Sequence, residues 1–336
     1  MKWAFYPASE FEAHANSWDA LNQCGFDTPL LSRHFVLHAL RNLASGREKL
    51  AVLGSPDSPD AMCILVRHRN LMWHTFQPAQ APTGFWLMRP GLDLQAALTA
   101  LLQDLPGFSL AVGVLQLDPL LLTRPADTAS MLTVDYIETA SMTVSGDYER
   151  FLQSRSAHLR KNIRHMNNLV KNHGFSCTIQ CLEKPEEVAG ALAHFARLEA
   201  SGWKGELGTA VRSDSAQGRF YLGLLQSFCA AEACWMYCLT FDEAIVAVDI
   251  YLHQGGTVYC LKTAFDEAYR HYSPGMLLHL AVMRRLWQSG EYRRIEFYGR
   301  IADWQLHLTE ETRTMYHINV YRWGWLQRLM RLKARV

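Results

Sequence analysis

The 336-residue sequence predicts an α+β protein made of two domains of one architecture. Three observations carry that expectation. Runs that alternate at the period of a strand are interleaved with amphipathic runs at the period of a helix. The chain is longer than an ordinary single domain, and its 49% hydrophobic content suffices for two buried cores. Most telling is the order of elements. Over 1–144 it reads strand, two helices, strands, helix, strand and strand. From 175 onward it reads strand, two helices, three antiparallel strands, helix, strand, an unassigned piece and a final strand, with little repetition of residues. The boundary is placed where Gly146 marks a change of character, giving domains 1–145 and 146–336.

In the first half, 1–6 is a strand and 9–21 a helix with Ser9 as its cap and Glu12 in the capping-box position. A second helix covers 32–43, and strands follow at 49–53, 61–66 and 71–76. The stretch 77–91 is rich in Pro and gives no assignment. A helix at 94–105 and strands at 109–117 and 131–144 complete this half. The second half opens on 151–173, read as one long amphipathic helix that carries Arg155, Arg160, Lys161, Arg164 and Lys171 and no acid. A strand at 175–182, helices at 186–200 and 215–231, and hairpin strands at 234–240 and 245–253 come next.

The chain is organised around Gly256 to Gly290. Val258, Cys260 and Lys262 alternate with Tyr259, Leu261 and Thr263, so a strand leads into a polar loop from Asp266 to Gly275. Met276, Leu277, Leu280, Met283, Leu286 and Trp287 then recur at helical spacing. Ser273 suits the N-cap, Pro274 the first helical position, and Gly275 lets the backbone come close to a ligand. Such a helix start favours an anion, because its free N–H groups and the helix dipole point the same way.

Composition excludes several classes. Charged residues make up 19%, the formal net charge is +1 and the pI is about 7.7, so no global field argues for nucleic acid. Several of the eight cysteines sit in apolar runs of a long chain, which reads as reduced thiols in a reducing compartment. Cys177 with Cys181, and Cys234 with Cys238, are each spaced for one face of a strand. That spacing is wider than tetrahedral zinc sites prefer, no His array accompanies it, and no metal is expected. The first residues lack an apolar signal core and no apolar run spans a membrane, so the expected location is cytoplasmic. The tail 321–336 interleaves Trp323, Trp325, Leu326, Leu329 and Met330 with Arg322, Arg328, Arg331, Lys333 and Arg335, which would allow peripheral contact with an inner membrane.

Arg270-His271-Tyr272-Ser273-Pro274-Gly275 resembles the phosphate loop of GNAT acyltransferases, Gln/Arg-x-x-Gly-x-Gly/Ala, with Ser273 where that pattern has Gly. The run from Phe151 to Val320, with LRKNIRHM, WKG at Trp203 to Gly205 and LKTAFDEAYRHYSPGMLL, is similar to cellulose-biosynthesis acetyltransferase-like GNAT proteins. These are related to the Fem-type transferases, which pair two such domains. The resemblance implies two GNAT-like domains in tandem with mixed, mostly antiparallel sheets flanked by helices. Over 1–144 it is architectural only; Arg89-Pro90-Gly91 lacks the pattern, so the first domain is expected to be degenerate.

An acyl-CoA co-substrate is implied, met by Leu261, Thr263 and Phe265 along the strand and by Arg270, Tyr272, Ser273, Pro274, Gly275, Met276 and Leu277 at the loop. Trp203 and Lys204 would form a substrate wall. Attack of an amine on a thioester needs proton removal. Asp249, interrupting the apolar run IVAVDIYL, Lys262, Asp266 and Glu267 are the candidates, with Lys262 able to pair with Asp249, and Tyr298 stands where this fold often protonates the leaving thiolate. The expected function is acyl-CoA-dependent N-acyl transfer to the amine of a small molecule or amino sugar, in polysaccharide or envelope metabolism. The alternatives are a Fem-like transferase using aminoacyl-tRNA, with the basic helix face on RNA, and a non-catalytic scaffold for a membrane synthase complex.

Overall fold

The computed structural model describes all residues except 69–70, 203–207, 209 and 334–336, and only the backbone of 331–333. By internal contacts the chain forms two compact units, one of 1–138 with 313–336 and one of 139–312.

In the first unit β1 (Trp3–Pro7), β2 (Lys49–Ser55), β3 (Ser58–His68) and β4 (Met72–Thr75) pair antiparallel in that order, and β5 (Trp86–Met88) joins β3. The fourth strand then pairs parallel with β6 (Ala111–Leu117). Consecutive residues Leu50–Leu53 and Ala61–Leu65 are buried, which means that both faces of this sheet are covered. The next strand, β7 (Met131–Thr143), crosses the division, and its residues 140–143 pair antiparallel with Arg294–Phe297 in the second unit.

The second unit repeats the pattern. Its strands β8 (Cys177–Leu182), β9 (Cys234–Phe241), β10 (Ala244–Gln254) and β11 (Thr257–Phe265) pair antiparallel, and β11 pairs parallel with β12 (Arg294–Phe297). Both sheets thus run through three antiparallel pairings, one parallel pairing and one final antiparallel strand. The last strand, β13 (Thr312–Tyr321), supplies that final place in the first unit, antiparallel to β6. For this reason 313–336, which chain order assigns to the second half, groups with the first unit.

Local differences from the sequence reading have local causes. The expected long helix 151–173 is two helices, Tyr148–Ser154 and Ala157–His173. Asp147 starts the first by accepting from the Arg150 N–H, and Ser156 starts the second by accepting from the Leu159 N–H. Between them the Arg155 guanidinium is anchored on the Leu308 carbonyl at 2.9 Å. Ser9 caps nothing, because it lies inside a 3-10 turn, Ala8–Glu10, that precedes the helix Phe11–Gly25. The Pro-rich stretch holds β5, and the unassigned piece after β12 holds a short helix, Asp303–Leu308.

Register decides which residues can meet. Asp249 on β10 stands opposite Thr263 on β11, whereas Lys262 stands opposite Ile250. Successive side chains on a strand point to opposite faces, so Asp249 and Lys262 lie on different sides of the sheet.

Candidate active site

The β11 strand delivers the chain into a 3-10 turn, Glu267–Tyr272, and from there into the helix Pro274–Ser289. Asp266 caps the turn, accepting from the Ala268 N–H at 3.0 Å and lying 3.3 Å from the Arg197 guanidinium. Ser273, between turn and helix, has φ 52° and ψ 51°. This is the left-handed region that favours glycine, so the backbone has the conformation that the family pattern reserves for Gly. The expected side-chain cap is not made: in this conformation Ser273 leaves the helix start without any side-chain hydrogen bond. Pro274 has no N–H, and the Leu277 N–H closes on the Ser273 carbonyl at 3.1 Å. What remain at the open end are the N–H groups of Gly275 and Met276.

A pocket of about 320 Å³ opens over this helix start. Its walls include Thr263, Phe265, Arg270 and the run Ser273, Pro274, Gly275 and Met276 from the residues singled out in the sequence. A Cβ built on Gly275 would stand 3.4 Å from the Phe265 ring, so a side chain there would occupy the floor of the pocket. Leu261 is half-buried away from these walls, and Leu277 packs on the apolar core of the unit. Tyr272 turns to an aromatic cluster instead, its hydroxyl 3.1 Å from His173 Nδ1 and its ring against Phe175 and Phe241.

Two further wall residues, His279 and Trp304, were not singled out in the sequence. Their rings stack at 4.5 Å between centroids with planes 11° apart. His279 Nδ1 lies 2.9 Å from Asp249 Oδ2, and the Tyr251 hydroxyl donates to the same oxygen at 3.1 Å while standing 3.1 Å from Nδ1. All three side chains are buried, Asp249 completely. Burial and then the Asp249 charge push the Tyr251 hydroxyl well above its ordinary pKa, so it stays protonated as a donor. The signal for His279 was its position: a polar residue on the apolar face that also carries Met276 and Met283, at the spacing of one helical side. Trp304 had no such signal, because six residues of helix are too few to show a period.

The remaining candidates have other partners. Lys262 Nζ pairs with Glu199 at 3.0 Å, on the face opposite Asp249, over the rings of Phe195 and Tyr221. The expected Lys262–Asp249 pair is thus excluded by register. Glu267 lies 3.8 Å from Arg270 within the turn. Tyr298 follows β12 with its ring parallel to that of Tyr259 at 6.2 Å. Trp203 and Lys204 lie outside the described residues. Cys177 is exposed, Cys181 half-buried, and Cys234 and Cys238 buried. Among the described residues no group of three metal-ligating side chains comes together.

Residues 157–306 match the family model described as an acetyltransferase (GNAT) domain. Among solved structures, FemX matches with a TM-score of 0.58 at 10% identity, covering 98% of this chain and 99% of that one. A conserved protein of unknown function from Bacteroides thetaiotaomicron matches with a TM-score of 0.58 at 12% identity, over 95% and 99% of the two chains. L-PGS from Bacillus licheniformis gives 0.54 at 12% identity over 91% of each. No curated protein matches the chain. Likenesses at such identities establish the fold, and the family match covers the unit that holds the pocket. Residues 157–306 thus match an acetyltransferase (GNAT) domain, and the chain as a whole shares its fold with FemX.

Proposed function

We propose that this protein moves an acyl group from acyl-CoA to the amine of a small molecule or amino sugar. The reading rests on one observation: a pocket beside β11 ends on a helix start whose Gly275 and Met276 N–H groups have no side-chain cap. A pyrophosphate fits there, since unpaired N–H groups and the positive end of the helix dipole face it and the Arg270 guanidinium adds a positive charge at the wall. Gly275, having no side chain, keeps that floor open. Thr263 and Phe265 offer the wall along which a pantetheine arm would lie. Bound acyl-CoA supplies the activated carbonyl, and the chain's task is to orient it, exclude water and handle the acceptor's proton. Calorimetric titration of the whole protein with acetyl-CoA and with longer acyl-CoAs tests the reading. One saturable site per chain supports it, and no binding by any of them defeats it.

A second reading keeps the fold and changes the donor to aminoacyl-tRNA, as the Fem-type resemblance suggests. What favours it is the helix Ala157–His173, which exposes Lys161, Arg164 and Lys171. Binding of tRNA that weakens steeply with salt, in a protein that ignores acyl-CoA, would select this donor.

The tail suits peripheral membrane contact. Its helix, Gly324–Lys333, exposes Trp325, Leu329 and Met330 beside Arg328, while Leu326 packs on the first unit. Among the described residues no helix is long and apolar enough to cross a membrane. Flotation with anionic vesicles, lost on deletion of 321–336, is the expected outcome; a full-length protein that never floats removes this contact.

A further inference from the structure

We propose that His279 is the base that takes the acceptor's proton and gives it back to the leaving sulfur, with Asp249 as the residue that positions it. This rests on the acyl-CoA reading above. The Asp249 carboxylate is fully buried in the sheet of the second unit. Two groups converge on its Oδ2, Tyr251 Oη at 3.1 Å and His279 Nδ1 at 2.9 Å, while its buried Oδ1 meets no donor among the described residues. Against an ionised Asp249 the second contact is favourable only if Nδ1 carries a hydrogen, because two lone pairs at that distance repel. Neutral His279 is therefore the Nδ1–H tautomer, and its lone pair is on Nε2.

Among the described residues Nε2 has no hydrogen-bond partner, and the ring lines the pocket where an acceptor would meet the acyl group. Trp304, stacked on the ring, fixes its plane. The other titratable groups packed around Asp249 are neutral: burial raises the thiols of Cys238, to about 11, and of Cys260, well above its ordinary value, and raises the Tyr237 hydroxyl as well. No second buried charge competes among these groups, so an imidazolium formed at His279 faces one carboxylate and is stabilised by it. The proposed base alternatives are otherwise engaged, Asp266 by its cap and Arg197, and Glu267 by Arg270.

In the step, the acceptor nitrogen forms its bond to the acyl carbon as the carbon–sulfur bond breaks, and the proton shed by nitrogen passes to Nε2. The imidazolium then returns that proton to the sulfur. Amine and thioester become amide and thiol, and His279 ends as it began.

Three measurements test this. Long-range ¹H–¹⁵N correlation on the ligand-free protein reads the tautomer directly: a hydrogen on Nδ1 is expected, lost from preference in Asp249→Asn and retained in Tyr251→Phe. A hydrogen on Nε2 in the wild type overturns the assignment, whether or not any variant folds. Acetyl-CoA titration of His279→Gln should still show one saturable site. Hydroxamate formation from acetyl-CoA, with hydroxylamine as probe acceptor, should fall about a hundredfold or more in that variant, and the limb of the pH–rate profile due to a neutral imidazole should vanish. An unchanged rate, or a wild type that binds acetyl-CoA and does not accelerate the probe reaction, overturns the proposal. A wild type that does not bind acetyl-CoA defeats the donor reading instead, and the tautomer measurement still decides the His279 geometry.

Discussion

Each unit has a helix that follows a strand at the same place in the repeated order, and the two helices begin in opposite ways. In the first unit Asp93 precedes the helix Leu94–Asp104, and its carboxylate accepts from the Ala96 N–H at 3.0 Å. The helix start is already occupied by an anion of its own chain. In the second unit Ser273 takes a left-handed conformation, makes no cap, and leaves the start to whatever enters the pocket. One sheet order therefore serves two ends: a self-satisfied helix that only holds a unit together, and an unsatisfied one that can hold a ligand. The absence of the loop pattern at Arg89-Pro90-Gly91 and the presence of Asp93 describe the same physical fact.

The largest expected effect comes from making the second helix like the first. Gly275→Asp puts a carboxylate on the open helix start, where a helix tolerates it and a pyrophosphate does not. Acetyl-CoA affinity should drop by about a hundredfold or more, the scale on which one buried like charge or a lost anion contact acts. Thermal unfolding should be close to wild type. Retained affinity in this variant would mean that the anion sits elsewhere, and the contrast between the two helix starts would lose its functional meaning.

A second contrast runs across β11, where Thr263 faces the pocket and Lys262 faces Glu199 on the other side. Glu199 also accepts from the Val211 N–H at 2.8 Å, so it ties the sheet to the chain that follows the helix Val188–Ala200. Glu199→Gln removes the charge of one partner of the Lys262 ammonium and should cost up to about 3–5 kcal/mol, the range for breaking one partner of a buried pair. The folded fraction should bind acetyl-CoA normally. Weakened binding by folded protein would show that the two faces of the strand are coupled.

Much of this contrast was legible in the sequence. Strand periodicity along Thr257–Phe265 and the Ser-Pro-Gly before an apolar helical stripe placed the loop correctly, because both signals are local and repeat every two or three to four residues. Asp249 was legible as a carboxylate inside an apolar run. Its partner was not: a histidine thirty residues later is brought beside it by packing a helix on a sheet, and no spacing rule encodes that distance. The Lys262 pairing failed for a related reason, since whether cross-strand neighbours share a face depends on register, which an irregularity between Ile250 and Tyr251 shifts. Trp304 and β5 fell in stretches too short for a period. The return of β13 to the first sheet is likewise a matter of long-range pairing.

Removing the cap from the first helix should have a modest effect confined to stability. Asp93→Ala frees the N–H of Ala96 and should cost about 1 kcal/mol, the usual worth of an N-cap side chain. For a unit of this size that is a lowering of the melting temperature by about 2–4 °C. Acetyl-CoA affinity should not change. If the uncapped helix start gained affinity for acyl-CoA, the first unit would have to be regarded as a site held closed by its own carboxylate.

The smallest effect is expected at Ser273, the residue that keeps the second helix open. A non-glycine residue in the left-handed region is strained by roughly 1 kcal/mol, from the approach of its Cβ to the following carbonyl. Ser273→Gly removes that strain, and the greater freedom of glycine in the unfolded chain offsets part of the gain. The net stabilisation should be under about 1 kcal/mol, read as a rise of a few degrees or less in the melting temperature. The backbone conformation is already the one glycine prefers, so the Gly275 and Met276 N–H groups should keep their directions and acetyl-CoA should bind as before. A clear loss of binding would show that the Ser273 hydroxyl itself contacts the ligand. A clear loss of stability would show that the hydroxyl holds the helix start in a way that its left-handed backbone does not require.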